Sequence, residues 1–99
     1  LDDLLPEIYF LLALLEERRG ELDKARKNYQ RVILLAPDFA MAHFNLGHLF
    51  LKMNRPADAR REFKNTKQIL EKNPENLSLR FSGGLSAHAL IEFCHMQER

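Results

Sequence analysis

The chain carries the stretch PEIYFLLALLEERRGELDKARKNYQ at residues 6–30, and the pattern of this stretch recurs 34 positions later. Residues 40–64 read AMAHFNLGHLFLKMNRPADARREFK. The shift aligns Phe10 with Phe44 and aligns Leu12 with Leu46. Further aligned pairs are Leu15 with Leu49, Ala25 with Ala59, and Tyr29 with Phe63. Because small and large residues fall in the same order, the two copies predict the same packing as well as the same hydrophobicity.

Turn signals divide each copy into two helices. Gly20 follows the segment EERR and suits the left-handed conformation that ends a helix, and Asn54 takes the equivalent place in the second copy. Pro56 suits the first turn of a helix. Pro37 ends the second helix, and Asp38 is the expected N-cap of the third. The predicted helices cover residues 6–19, 22–35, 39–53 and 56–72.

A helix–turn–helix unit with a 34-residue period resembles the tetratricopeptide repeat, whose pattern is W-x2-L-G-x2-Y, then A-x3-F, then P. The second copy carries Leu46 and Gly47 of the first part, and Ala59 and Phe63 of the second. The small residues allow the paired helices to approach closely. The resemblance implies an all-α fold of two such repeats. The expected repeats are residues 6–39 and 40–73 of a single domain that covers residues 1–99.

The chain after the second copy starts no third repeat at this spacing. Ser86 suits the N-cap of a last helix, with Leu85 and Leu90 as a hydrophobic staple. A Gly-Gly pair that opens a helix could also bind phosphate. A phosphate-binding loop follows a strand and usually contains a Lys. Here the preceding segment LSLRFS is a poor strand, and GGLS has no Lys. We therefore predict a loop over residues 74–85 and a capping helix over residues 86–98.

Composition excludes several classes of function. The net charge is +1, so no bulk field draws the chain to nucleic acid or to a membrane surface. The apolar run of residues 8–15 is too short to span a bilayer and predicts a helix that is covered on two sides. The single cysteine fits a reducing compartment, so we expect a cytoplasmic protein. Because the chain begins at Leu1 without a signal peptide, we expect a fragment of a longer protein.

Basic residues gather on the predicted fourth helix, where acidic residues interleave with them and no aromatic residue is available for base stacking. These basic residues are Arg60, Arg61, Lys64 and Lys67. A solvated helix face is the favoured interpretation, since ordinary surfaces mix the two signs of charge.

The sequence predicts neither a catalytic site nor a metal site. Cys94 and His95 are adjacent, and adjacent residues of a helix do not face each other, so they cannot form a nucleophilic pair. We expect Cys94 in the core. His43 and His48 are five residues apart and His88 lies seven before His95, and neither spacing suits zinc. The chain also lacks the strand–loop–helix that a nucleotide cofactor requires, so no cofactor is expected.

The ending GLSAHALIEFC, residues 84–94, resembles the C-terminal extension of bacterial chemoreceptor methyltransferases of the CheR type. The segment APDFAMAHFNLGHLF, residues 36–50, adds to the likeness. The resemblance implies a non-catalytic arm that localises or regulates a protein-glutamate methyltransferase, whose S-adenosylmethionine would bind in an upstream domain. The alternative hypothesis is a stand-alone or differently fused repeat adaptor with no link to methylation.

The tetratricopeptide resemblance also implies a groove, lined by the first helix of each repeat, that binds a protein or peptide. The expected groove residues are Phe10, Leu14, Glu17, Phe44, Asn45, His48, Leu51 and Lys52. The expected partner is an amphipathic segment of the parent chain, of a receptor or of a second copy. Alternatively, Phe10 and Leu14 are covered within the chain, by residues 1–5 or by the tail.

Overall fold

The computed structural model of the protein describes residues 5–98, and within them it contains helices and no strand. The repeat helices are α1 (Pro6–Arg18), α2 (Leu22–Leu35), α3 (Ala40–Lys52) and α4 (Pro56–Lys72). A 3-10 helix, Leu77–Phe81, and α5, Ala87–Met96, follow. The four predicted repeat helices are confirmed to within one residue at each end. The sequence did not predict the 3-10 helix.

The helices pack as two hairpins, α1 with α2 and α3 with α4. The second hairpin lies on the first through contacts between α2 and α3, and α5 packs against α4. The predicted all-α architecture of two helical hairpins and a capping helix is therefore confirmed.

Both hairpin turns use a left-handed residue, as predicted. The φ angle is +78° at Gly20 and +59° at Asn54. In the first turn the backbone N–H of Glu21 donates to the carbonyl of Glu16 at 2.9 Å, and the second turn closes with the equivalent bond. This hydrogen bond belongs to the Schellman motif, which satisfies carbonyls that the end of a helix leaves unpaired.

The N-terminus of α3 is capped by a distant loop, so the prediction of Asp38 as its N-cap is wrong. The N-cap residue is Phe39, which makes no side-chain cap bond. Instead, the backbone N–H of Met41 donates to the Ser78 hydroxyl at 3.1 Å. The side-chain amide of Asn76 donates to the Asp38 carbonyl at 2.8 Å. The polar 3-10 segment thus satisfies groups at the start of α3 that a local cap would otherwise satisfy.

An aromatic cluster fixes the start of the first repeat. The ring of Phe10 lies edge-on to Tyr29, with centroids 5.8 Å apart. It also lies 5.1 Å from the ring centroid of Phe39 and 5.1 Å from that of Phe81. The last of these comes from the 3-10 helix, so the tail of the chain closes the core of the first repeat.

A second aromatic cluster occupies the equivalent place in the second repeat. Phe44 and Phe63 lie edge-on with ring centroids 5.9 Å apart. The ring of Phe93, from α5, lies 5.5 Å from each of them. Edge-on aromatic pairs at these distances stabilise beyond the area that they bury. The capping helix therefore packs Phe93 on the aromatic pair of the second repeat, as the 3-10 helix packs Phe81 on Phe10 of the first.

The capping helix begins as predicted. The Ser86 hydroxyl accepts a hydrogen bond from the backbone N–H of Ala89 at 3.1 Å. Leu90 and Cys94 are fully buried, which confirms Cys94 as a core residue. Leu85 is half exposed, so its expected staple with Leu90 contributes little. Burial raises the pKa of the Cys94 thiol to about 12, which keeps it protonated and unreactive at neutral pH.

We expect Gly47→Ala to lower the melting temperature. A Cβ at this position would lie 2.7 Å from Cε1 of Phe63, and contacts of that ring with Phe44 and Phe93 oppose the shift that would relieve the overlap. Overpacking costs about 1–3 kcal/mol, which exceeds the gain of about 1 kcal/mol that alanine brings in helix propensity. Thermal melting followed by circular dichroism measures the difference. The exposed Gln68→Ala in α4 is the control, and a melting temperature raised by Gly47→Ala would contradict the close packing.

Reactivity of Cys94 should report the docking of α5. We expect the native thiol to react with Ellman's reagent far more slowly than in urea, because the thiol is buried and protonated. Phe93→Ala removes a ring from the contact with the second repeat and should accelerate the native reaction by about 10-fold or more, since about 1.4 kcal/mol of lost packing is a factor of ten. Glu92→Ala, on the exposed face of the same helix, should leave the rate unchanged. Reaction of the wild type at the unfolded rate would contradict docking.

Candidate functional site

The chain itself fills one end of the expected groove. Arg80, in the 3-10 helix, forms an ion pair with Glu7 of α1 at 2.8 Å. The neighbouring ring of Phe81 covers Phe10, which is 0% exposed. Phe10 is therefore a core residue that offers no surface to a partner, and the expectation that it lines an open groove is corrected. For Phe10, the alternative hypothesis of cover by the C-terminal tail therefore agrees with the structure, because Phe81 belongs to that tail.

Phe44 is also buried. Its side chain is 8% exposed because the rings of Phe63 and Phe93 lie against it. The expectation that Phe44 is an open aromatic anchor is corrected for the same reason: α5 supplies an aromatic side chain at this place. Leu51 is 43% exposed but lies outside the depression described next.

An open depression of about 380 Å³ remains between the C-terminal halves of α1 and α3. Its lining residues are Leu14, Glu17, Arg18, Asn45, His48 and Lys52. Five of these six were predicted from the sequence as groove residues. The structure therefore brings together the part of the predicted groove that the tail does not cover.

Glu17 organises the polar wall of this depression. Its carboxylate accepts a hydrogen bond from the Tyr29 hydroxyl at 2.9 Å. The same carboxylate forms an ion pair with Nζ of Lys52 at 2.6 Å. These bonds tie α1 to α2 and to α3. Burial, followed by the nearby Glu17 carboxylate, raises the pKa of Tyr29, so its hydroxyl keeps the proton that it donates. The Lys52 side chain is 55% exposed and keeps donors for a further acceptor.

His48 forms the aromatic wall. Its ring centroid lies 4.7 Å from that of Phe44 and 5.2 Å from that of Phe93. Burial lowers the pKa of His48; Glu17 opposes this shift and Lys52 adds to it. The imidazole is therefore mainly neutral at pH 7, and it is one of the side chains that line the depression.

Arg18 is the lining residue that the sequence prediction missed. It makes no ion pair with another described residue, so its guanidinium is available to an incoming acceptor. It follows Leu14 by four positions, which places both on one side of α1. Helical spacing from the predicted groove residues could therefore have identified it.

Other kinds of site are not found in the part of the chain that the structure describes. No three His, Cys, Asp or Glu residues among residues 5–98 lie close enough to hold a metal ion. None of the helices in this range has the length and apolar character that crossing a membrane requires. Every buried side-chain nitrogen or oxygen in the same range has a hydrogen-bond partner.

Comparisons with known proteins agree with the fold. Residues 18–54 match the protein-family model described as TPR repeat. Over 69 residues the chain is 30% identical to Protein O-mannosyl-transferase TMTC3 of Homo sapiens and to that of Mus musculus. The match covers 69% of this chain and 8% of each relative, so the chain spans a small part of their length.

The family match agrees with the helical hairpins of the structure. The chain contains a tetratricopeptide repeat, and its fold is that of tetratricopeptide hairpins with a capping helix. Repeats of this class generally mediate protein–protein interaction and are not catalytic. Both relatives are named as O-mannosyl-transferases, so the likeness to chemoreceptor methyltransferases rests on the residues quoted above.

Stability should fall in mild acid partly because of His48. Its folded pKa lies below the unfolded value of about 6.5, so the unfolded chain binds a proton first as the pH falls. The free energy of unfolding should therefore decrease from about pH 6.5 downward. His48→Gln should show a smaller decrease between pH 7 and pH 5 in urea titrations. His88→Gln, which removes an exposed histidine of α5, is the matched control, and an equal decrease in wild type and His48→Gln would contradict the assignment.

Proposed function

We propose that the depression between α1 and α3 binds a short amphipathic segment of a protein. The observation that carries the proposal is the convergence of Leu14, His48, Arg18 and Lys52 on one open concave surface. Concave sites with an apolar wall and a few placed polar groups are the usual form of a binding site.

The depression suggests which side chains the segment presents. An apolar side chain fits against Leu14 and the ring of neutral His48. A carboxylate of the segment fits near Arg18, which has no ion-pair partner among the described residues, and near the exposed amine of Lys52. Because the tail covers the other end of the groove, we expect the site to accept a few residues rather than a long helix. The charges should set orientation and association rate more than affinity.

The test is a selection from a random peptide library displayed on phage, with the 99-residue chain immobilised. Selected peptides should be enriched in an apolar residue beside Asp or Glu, and fluorescence anisotropy then gives their affinities. Leu14→Glu should weaken binding by about 30-fold, because losing a central anchor costs about 2 kcal/mol.

Leu34→Glu, an 81% exposed leucine of α2, is the matched control for the same chemical change. It should leave the affinity of the selected peptides unchanged. Peptides that bind Leu14→Glu as tightly as the wild type would place the interface elsewhere. Circular dichroism must show that both variants fold.

We further propose that the chain is the C-terminal arm of a cytoplasmic chemoreceptor methyltransferase and binds no S-adenosylmethionine itself. Support comes from the likeness of residues 84–94 and 36–50 to the extension of those enzymes. The second candidate is an adaptor attached to another kind of protein. The similarity to O-mannosyl-transferases favours this candidate, because a related segment there forms 8% of a different transferase.

Peptide mapping of the endogenous polypeptide distinguishes the two candidates. An antibody against the 99-residue chain isolates the polypeptide, and mass spectrometry then identifies the remainder of its sequence. A doubly wound α/β domain that binds S-adenosylmethionine is the expected result, and its absence supports the adaptor. Isothermal calorimetry on the isolated chain should show no saturable binding of S-adenosylmethionine, and saturable binding would contradict the assignment of the cofactor to another domain.

A further inference from the structure

One face of α1 is apolar and uncovered. Ile8, Leu12 and Leu15 follow one another at spacings of four and three residues, so they form a stripe along the helix. They are 41%, 40% and 51% exposed, and Leu11 beside them is 44% exposed. None of the four lines the depression. The apolar run was expected to be covered on two sides, but the structure leaves this side open.

In the second repeat, which follows another hairpin, the residues at the equivalent positions are buried. A shift of 34 residues carries Ile8, Leu12 and Leu15 onto Ala42, Leu46 and Leu49 of α3. These counterparts are 0%, 1% and 0% exposed. The same residue type, leucine, is therefore exposed in the first copy and buried in the second.

The stripe residues of α1 and their counterparts in α3 differ in burial because the two helices have different neighbours. Each helix packs on the second helix of its own repeat, α1 on α2 and α3 on α4. α3 also packs on α2 of the preceding repeat and contacts the 3-10 helix. The 3-10 helix meets α3 at its first turn, where Ser78 bonds Met41. Leu46 and Leu49 lie one to two turns further along, so we attribute their burial to the packing of α3 between α4 and the preceding hairpin.

A second copy of the chain cannot supply this neighbour by stacking end to end. By analogy with α2, the surface that would dock on α1 belongs to α4, and α5 already packs on α4, with Phe93 against Phe63. Leu90 and Cys94 of α5 are fully buried there. Within residues 5–98, α5 closes the C-terminal end of the stack, whereas the apolar stripe of α1 at the N-terminal end is exposed.

We propose that the stripe of Ile8, Leu12 and Leu15 docks a further tetratricopeptide hairpin of the same polypeptide, joined in register ahead of Pro6. This inference goes beyond the binding of a peptide in the depression, which uses another side of α1. The occupant is an amphipathic pair of helices whose second helix packs on α1 as α2 packs on α3. Embedding in a longer chain is how the matching segment occurs in the relatives, of which it forms 8%.

The test compares one substitution in two contexts. In the 99-residue chain Leu12→Glu should change the melting temperature by no more than about 2 °C, since exposed sites tolerate substitution. A three-repeat chain is made by duplicating residues 6–39 directly ahead of Pro6. It should melt at a higher temperature, and Leu12→Glu in its inner copy should lower that temperature by about 10 °C or more, because the charge is then buried.

Leu34→Glu is the matched control in both contexts. Leu34 is 81% exposed, and the residue 34 positions later, Gln68, is also exposed, so no hairpin covers this position in either repeat. The control should be mild in the short and the long chain. An equally mild effect of Leu12→Glu in both chains would overturn the proposal.

Sedimentation velocity of the 99-residue chain separates the proposed occupant from a second copy. A monomer across the micromolar range is the expected result. A dimer that Leu12→Glu dissociates and Leu34→Glu preserves would show that a second copy covers the stripe, and it would also overturn the proposal.

Discussion

The close contact between Gly47 and the ring of Phe63 organises the second repeat and the site beside it. Because Gly47 has no Cβ, α3 and α4 can approach until the ring lies where a methyl group would be. The ring then faces Phe44, His48 and Phe93 together. This one contact therefore sets the distance between α3 and α4. It also fixes the ring against which Phe93 of α5 and His48 of the depression pack.

The tail of the chain converts a general repeat groove into a small site. Its 3-10 helix covers one end of the groove, where Arg80 and Phe81 hold α1, and α5 covers the aromatic pair of the second repeat. What remains open is the polar end, where Glu17 and Lys52 join the repeats. Two repeats bury little surface by themselves, so the tail contributes stability and also limits the length of segment that can bind.

Local patterns predicted the helices well, and long-range contacts explain what the sequence did not reveal. The helix bounds follow from periodicity and from Gly20, Asn54 and the prolines, which act within a few residues. The cap of α3 depends on Ser78, 37 positions beyond the N–H that it satisfies, so Asp38 was the wrong prediction. Phe10 was likewise covered by Phe81, a contact that no local pattern reports. In the site, the resemblance to tetratricopeptide repeats predicted five of the six residues that line the depression, but exposure depended on the path of the tail.

The all-round apolar character of α1 has a physical account in the three sides of that helix. One side, with Phe10 and Ala13, is fully buried in the core. A second side carries Leu14 and Arg18 to the depression. A third side, which includes Leu12, is apolar and open, although the leucine that corresponds to Leu12 in α3 is buried. A polar outer side on the terminal helices of a stack favours solubility, and terminal repeats generally have one. On α1 the corresponding side is apolar and exposed, which supports our proposal that a further hairpin covers it, whereas at the other end of the described residues α5 covers α4.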